Sequence, residues 1–240
     1  MKKLVFLTLL FVLFQSCSSS DSDPTPPGSI LVKRIVDTNP AGVFTYNYTY
    51  NGNKMVESVL STANYSRRGV YTYTGDLITK SEFFDIDNTL NQRNVSTYNT
   101  DNRLESSVQL DFYNGTGKRQ TYTYNTDGTV SSISYSGDLI NQDTVVSHNT
   151  MTYSNGEISS LVEDYGTVIK THTYVYDTKN NPFKNVIGYG QESHNLIQST
   201  YSENGGTVYT TDQHYTYNSN NFPITHYAGT STESVLRYYY

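Results

Sequence analysis

Tyr122-Thr123-Tyr124-Asn125-Thr126-Asp127-Gly128 is the stretch that decides the fold. Alternation places the two tyrosines on one face of a strand and the threonine on the other. Asp-Gly then supplies the positive φ that a tight hairpin needs. The unit recurs along the chain. Copies stand at Tyr48-Thr49-Tyr50-Asn51-Gly52, Tyr71-Thr72-Tyr73-Thr74-Gly75 and Ser96-Thr97-Tyr98-Asn99. Others stand at Met151-Thr152-Tyr153-Ser154-Asn155-Gly156, Tyr174-Val175-Tyr176-Asp177 and Tyr215-Thr216-Tyr217-Asn218. The second tyrosines, at 50, 73, 98, 124, 153, 176 and 217, are spaced by 23, 25, 26, 29, 23 and 41 residues.

Each turn is followed by another alternating stretch. In Leu104–Phe112, Val108, Leu110 and Phe112 share a face opposite Gln109 and Asp111. A unit of this length holds two strands and two turns. The seven units predict an all-β, antiparallel up-and-down meander of roughly fourteen strands, as a closed or nearly closed barrel. The alternative is an open curved sheet of hairpins. The 41-residue step contains an insertion, about Asn185 to Asn204, punctuated by Gly188 and Gly190 and followed by Gly205 and Gly206. A longer hairpin or irregular connection is the ordinary reading of such a step, and a functional loop the sharper one.

The N-terminus has a different character. Lys2 and Lys3 precede an apolar run, Leu4–Phe14, broken only by Thr8. That is the order and length of a signal peptide, and too short to span a bilayer. Phe14-Gln15-Ser16-Cys17 resembles the lipobox of bacterial lipoproteins, although Phe14 and Gln15 depart from its usual pattern. The resemblance implies cleavage before Cys17 and lipidation of its thiol. Cys17 is the sole cysteine, so no disulfide competes for it. Ser18–Asp23 resembles the serine and acidic stretch of surface-exported Bacteroidetes lipoproteins, and Pro24, Pro26 and Pro27 keep the chain extended. The expected organisation is a signal peptide at 1–16, a lipidated cysteine and tether at 17–28, and one Tyr-rich β-domain at 29–240.

Composition narrows the function classes. Removing Lys2 and Lys3 from 16 basic residues leaves 14 against 22 acidic ones, a net of −8. Nucleic acid, which needs a basic footprint, is therefore not an expected partner. The chain has 24 tyrosines and no tryptophan. Tyrosine, threonine and valine favour strands, and aromatics bury much area, so tyrosines are expected to supply most of a thin core.

The Tyr-x-Tyr-Asn-x-Asp-Gly unit resembles the YD repeat of RHS-type proteins. The mature chain resembles an uncharacterised Bacteroidetes lipoprotein family with such repeats and a porin-like barrel. Asp177–Asn185 and Tyr215–Pro223 carry that likeness most closely. It implies architecture and a membrane address, and no activity.

No catalytic constellation emerges from the sequence. His148, His172, His194, His214 and His226 show no metal-ligand spacing and read as strand-surface or turn residues. Gly115-Thr116-Gly117-Lys118 mimics the end of a phosphate loop. Phe112 replaces its first glycine and Arg119 its Ser/Thr, so Asn114-Gly115 reads as a turn. Asp85-Ile86-Asp87-Asn88 lacks the glycine and distal glutamate of an EF-hand and reads as a polar turn. No Gly-x-Ser-x-Gly is present. Glu57, Glu82, Glu105 and Glu163 are expected to face solvent. No catalytic residue, metal or cofactor is expected. An aromatic C-terminus also occurs in integral outer-membrane barrels, but the rows opposite the tyrosines are Thr, Ser, Asn and charged residues, unlike a lipid-facing band.

The expected role is a non-catalytic structural or interaction module, lipid-anchored in the outer membrane. Exposure at the cell surface is expected, with the periplasmic face as the alternative. Two other readings stand beside it: a glycan- or small-ligand-binding protein, and an enzyme with a site in the barrel mouth or the 185–204 insertion.

Overall fold

The computed structural model describes residues 29–190, 193–230 and 233–240. The sequence builds sixteen strands. They are β1 (Arg34–Asn39), β2 (Gly42–Asn51), β3 (Lys54–Ser61), β4 (Ser66–Thr74), β5 (Leu77–Asp85), β6 (Leu90–Tyr98), β7 (Leu104–Asp111) and β8 (Thr116–Tyr124). The second half contains β9 (Val130–Asp138), β10 (Thr144–Ser154), β11 (Glu157–Asp164), β12 (Ile169–Asn180), β13 (His194–Glu203), β14 (Tyr209–Tyr217), β15 (Pro223–Ala228) and β16 (Val235–Tyr239). Each strand pairs antiparallel with its chain neighbours, and the ring closes. Closure joins β1 to β16 in the register Arg34↔Tyr239 through Thr38↔Val235. The chain is therefore a closed up-and-down barrel and not an open sheet. The count exceeds fourteen because Tyr238-Tyr239-Tyr240 is an eighth Tyr-x-Tyr copy and β1 carries none.

The repeat has a repeated geometry. Its tyrosines face the lumen and its threonines face out: Thr49, Thr72, Thr97, Thr123, Thr152 and Thr216 are all exposed. A register shift precedes the second tyrosine at Thr49/Tyr50, Thr72/Tyr73, Thr97/Tyr98, Thr152/Tyr153 and Thr216/Tyr217. Such bulges bend a strand at a barrel rim. With a bulge or, as at Tyr124, without one, the phenol reaches back toward the preceding strand. Tyr50 donates to the Val32 carbonyl (2.6 Å), Tyr98 to Ile78 (2.9 Å), Tyr124 to Leu104 (3.0 Å) and Tyr240 to Pro223 (3.0 Å). One rim is thus laced by tyrosine rungs. The chain enters β1 at this same rim.

The outer wall carries ion pairs and threonine hydrogen bonds, with Val95 and Val175 exposed among them. Glu57 meets Arg68 at 3.7 Å, and Glu82 lies 2.8 Å from both Lys80 and Arg93. Thr216 and Thr225 share a hydrogen bond at 2.7 Å, as do Thr173 and Thr200 at 2.6 Å. The apolar core is small, with Val32, Ile35, Met55, Val130, Met151, Val186 and Phe222 buried among the described residues. The inward tyrosines supply much of the rest, as composition implied.

Candidate functional site

The long step in the repeat crosses a mouth of the barrel. The connection between Asn180 and His194 is 13 residues long. Asn181 starts it with an Asx turn, its side chain accepting from Phe183 N at 2.9 Å. Gly188 and Gly190 hold φ of 72° and 75°. The segment then packs on β2 and β4, six to eight strands away around the ring. Phe183 meets Tyr48 edge-on at 5.4 Å, and Tyr189 lies 4.6 Å from Phe183 and 6.5 Å from Tyr71. Ile187 N donates to the Asn53 carbonyl (2.9 Å), and Tyr73 shares its hydroxyl proton between the carbonyls of Met55 (3.1 Å) and Ile187 (3.2 Å). Asn185 reaches the Ile30 carbonyl at 2.9 Å. This segment is a strap. Burial pushes the Tyr73 and Tyr189 phenols up to about 12, which keeps both protonated and able to donate.

Buried polar groups fix the strap's return. Glu157, 7% exposed, accepts from Ser193 N (3.0 Å) and His194 N (2.8 Å) and lies 3.1 Å from His194 Nδ1. Nearby, Asp177 accepts from Tyr217 and from Asn195 N at 3.1 Å. Burial, with the Asp177 bond and charge added, raises the Tyr217 phenol.

Inside the barrel, two cavities lie along the same wall. One, of about 530 Å³, is lined by Asn94, Ser107, Gln109, Gln120, Ser134 and Ser147, with Lys118 and Glu163 at its edge. The other, of about 420 Å³, is lined by Met151, Leu161, Tyr174, Tyr176, Leu196 and Tyr215. The first borders the strap-free mouth; the second lies nearer the strap. Toward the strap-free mouth β6 to β10 therefore face the lumen with serines and amides, while Tyr98, Tyr124 and Tyr153 of the same strands lie toward the strap.

A solved protein shares this architecture. A porin-like protein from Bacteroides uniformis ATCC 8492 superposes with a TM-score of 0.56 at 13% identity, covering 90% of this chain and 98% of that one. The fold is that of a porin-like barrel. A porin-like protein from Bacteroides vulgatus ATCC 8482 gives a TM-score of 0.48 at 12% identity, covering 88% of this chain and 98% of that one. No family model and no curated protein matches the sequence.

The porin-like barrel places the sequence-predicted residues as follows. Cys17, the signal peptide and the 17–28 tether lie outside the described residues. The 185–204 insertion is corrected: its irregular part spans 181–193, and 194–203 is β13, since an alternating strand follows the glycines. Gly115 has φ 66° in a β7–β8 turn, and Asn88 has φ 63° in a β5–β6 turn, as their turn readings required. Glu163 departs from its expected position on the outer face. Its register opposite Asn149 and Lys170 points it into the lumen, 3.3 Å from His172 Nε2.

Three histidines leave the surface too. His172 stacks on Tyr174 (6.3 Å), His194 touches Glu157, and His226 stacks on Tyr215 (4.4 Å). Sequence reading missed the strap's seat and the polar half of the lumen. The second had a faint signal, the period-two serines Ser132, Ser134 and Ser136 in the row where other strands carry tyrosine or leucine.

Proposed function

We propose that this chain is a lipid-anchored protein of the outer membrane or cell surface, whose porin-like barrel stands in water as a non-catalytic interaction module. The polar outer wall carries this reading. A barrel that sits in lipid needs an apolar band about 25 Å tall, and the Glu57–Arg68 and Lys80–Glu82–Arg93 contacts lie where that band would be. A wall of this kind needs another attachment, and the lipobox at Cys17 supplies one. The non-catalytic part rests on the two carboxylate–imidazole pairs. Glu157–His194 holds the strap, and His172 of the other pair is stacked on Tyr174 and packed at a tilt against Tyr201. Metabolic labelling with palmitate, combined with protease treatment of intact cells, tests the proposal. Label on the wild type and none on Cys17→Ala is expected, with cleavage from outside the cell. An unlabelled wild type counts against anchoring, and protection in intact cells with cleavage in lysed ones moves the barrel to the periplasmic face.

A ligand-binding reading is favoured by one further observation. The lumen keeps a polar cavity of about 530 Å³ instead of filling it with side chains.

A further inference from the structure

We infer that the lumen binds an uncharged saccharide, which enters through the mouth opposite the strap. The inference rests on the interaction-module reading and gives it a ligand class. Every connection at the strap-free mouth is two to six residues long. Such short hairpin loops leave a sixteen-strand opening uncovered.

The chemistry of the inner wall selects the ligand. Gln120 Nε2 donates to Ser132 Oγ at 2.8 Å, and its Oε1 accepts from Tyr122 at 3.0 Å. Asn149 Nδ2 donates to Ser132 Oγ (3.2 Å) and Ser134 Oγ (3.0 Å). Both serine oxygens are thus acceptors within the wall; Ser134, which lines the cavity, keeps a hydroxyl proton to turn to a ligand, while Ser132, 3% exposed, and Asn149 stand behind it. Asn149, 5% exposed, has no hydrogen-bond partner on its Oδ1. The wall offers donors and acceptors interspersed at short range, the pattern that a polyol complements.

Charge excludes the main competitors. Lys118 and Glu163 both line the cavity, one charge of each sign. Arg119 lies on the outer face, where its guanidinium bonds the Gln142 carbonyl (3.2 Å) and stacks on Tyr135 at 3.8 Å. An anionic ligand would meet the Glu163 carboxylate as well as the Lys118 ammonium. A wholly apolar ligand would strip water from the serines and amides without replacing its hydrogen bonds, which disfavours it. Deeper along the same wall, Tyr174, Tyr176 and Tyr215 border the second cavity. Their rings offer apolar faces to the C–H faces of a sugar. The polar cavity, at about 530 Å³, falls within the roughly 300–1,000 Å³ of ordinary small-ligand sites.

The test is calorimetric titration of the detergent-solubilised full chain with maltotriose, cellotriose and mannotriose. Trigalacturonate and palmitate serve as the acidic and apolar comparisons. Gln109→Phe and Ser134→Phe fill the polar cavity, and Thr123→Phe adds the same bulk outside. At least one neutral trisaccharide is expected to bind, with about tenfold or greater weakening in either cavity variant and none in Thr123→Phe. Unchanged thermal midpoints in the two cavity variants show that the fold survives. The inference is overturned if no neutral sugar binds, if only palmitate or trigalacturonate binds, or if both cavity variants bind like wild type. Palmitate labelling of Cys17 is read separately, so failure of sugar binding and failure of anchoring are distinguishable.

Discussion

Gly188→Ala tests how the strap is seated. Gly188 sits at φ 72°, where an L side chain is disfavoured by about 1 kcal/mol. A Cβ there would stand 2.6 Å from the Asp76 carbonyl oxygen, 3.2 Å from Tyr73 Cε1 and 3.3 Å from Ile78 Cγ1. The nearest of these atoms is backbone, so the strap must lift. Overpacking of this kind costs about 1–3 kcal/mol. The combined cost of about 2–4 kcal/mol corresponds to a fall of roughly 4–16 °C in the melting midpoint of a domain this size. Gly115→Ala is the control, because it has φ 66° with nothing within 4 Å of the new Cβ. It should lose only the backbone share, about 2–4 °C. The assay is thermal unfolding followed by near-ultraviolet circular dichroism, which reads the tyrosines. Equal shifts in the two variants would refute the seat on β4 and the turn beyond it.

Tyr98→Phe should cost about 1 kcal/mol by leaving the Ile78 carbonyl without its phenol, measured as a 2–4 °C fall in midpoint. Tyr113→Phe, 87% exposed, should change nothing measurable. Glu157→Ala removes a charged acceptor from Ser193 N and His194 N, costs on the order of 2–3 kcal/mol, and should open the strap to limited proteolysis between 181 and 193. Burial, and then the nearby His214 charge, lower the His226 pKa below 6.5. The folded chain then resists a proton that the unfolded chain accepts, so His226 stabilises fully above about pH 6.5 and loses that contribution as pH falls below it. His226→Gln should flatten the fall of the melting midpoint between about pH 6.5 and pH 5.

Strand type, direction and the shared face of the repeat tyrosines were legible because the repeat combines period-two alternation with Asn-Gly and Asp-Gly turns. Tyr238-Tyr239-Tyr240 was harder to count, since no turn follows it to mark a unit, yet Tyr240 makes the same rung to Pro223. The bulges before Tyr50 and Tyr73 leave no trace in residue type. They arise from closing the ring, which is a property of all sixteen strands together. The strap's partners were also beyond reading, because Phe183 and Tyr48 are far apart in sequence and meet only across the closed barrel. The Glu163 side chain shows the same limit in small: its face is set by the register of β10 and β11, which the local pattern leaves open by one residue.

Membrane attachment of Cys17→Ala distinguishes a lipid-anchored barrel from one embedded in the membrane. Cells expressing wild type or variant are lysed, and their membranes are washed at high pH and then extracted with detergent. Wild type should stay in the membrane through the alkaline wash and enter the detergent phase. Cys17→Ala should appear folded in the soluble fraction, because Glu57, Arg68, Lys80, Glu82 and Arg93 interrupt the continuous apolar band that a lipid-embedded barrel needs. A variant that remains embedded after the alkaline wash would contradict the account and make the barrel itself the membrane anchor.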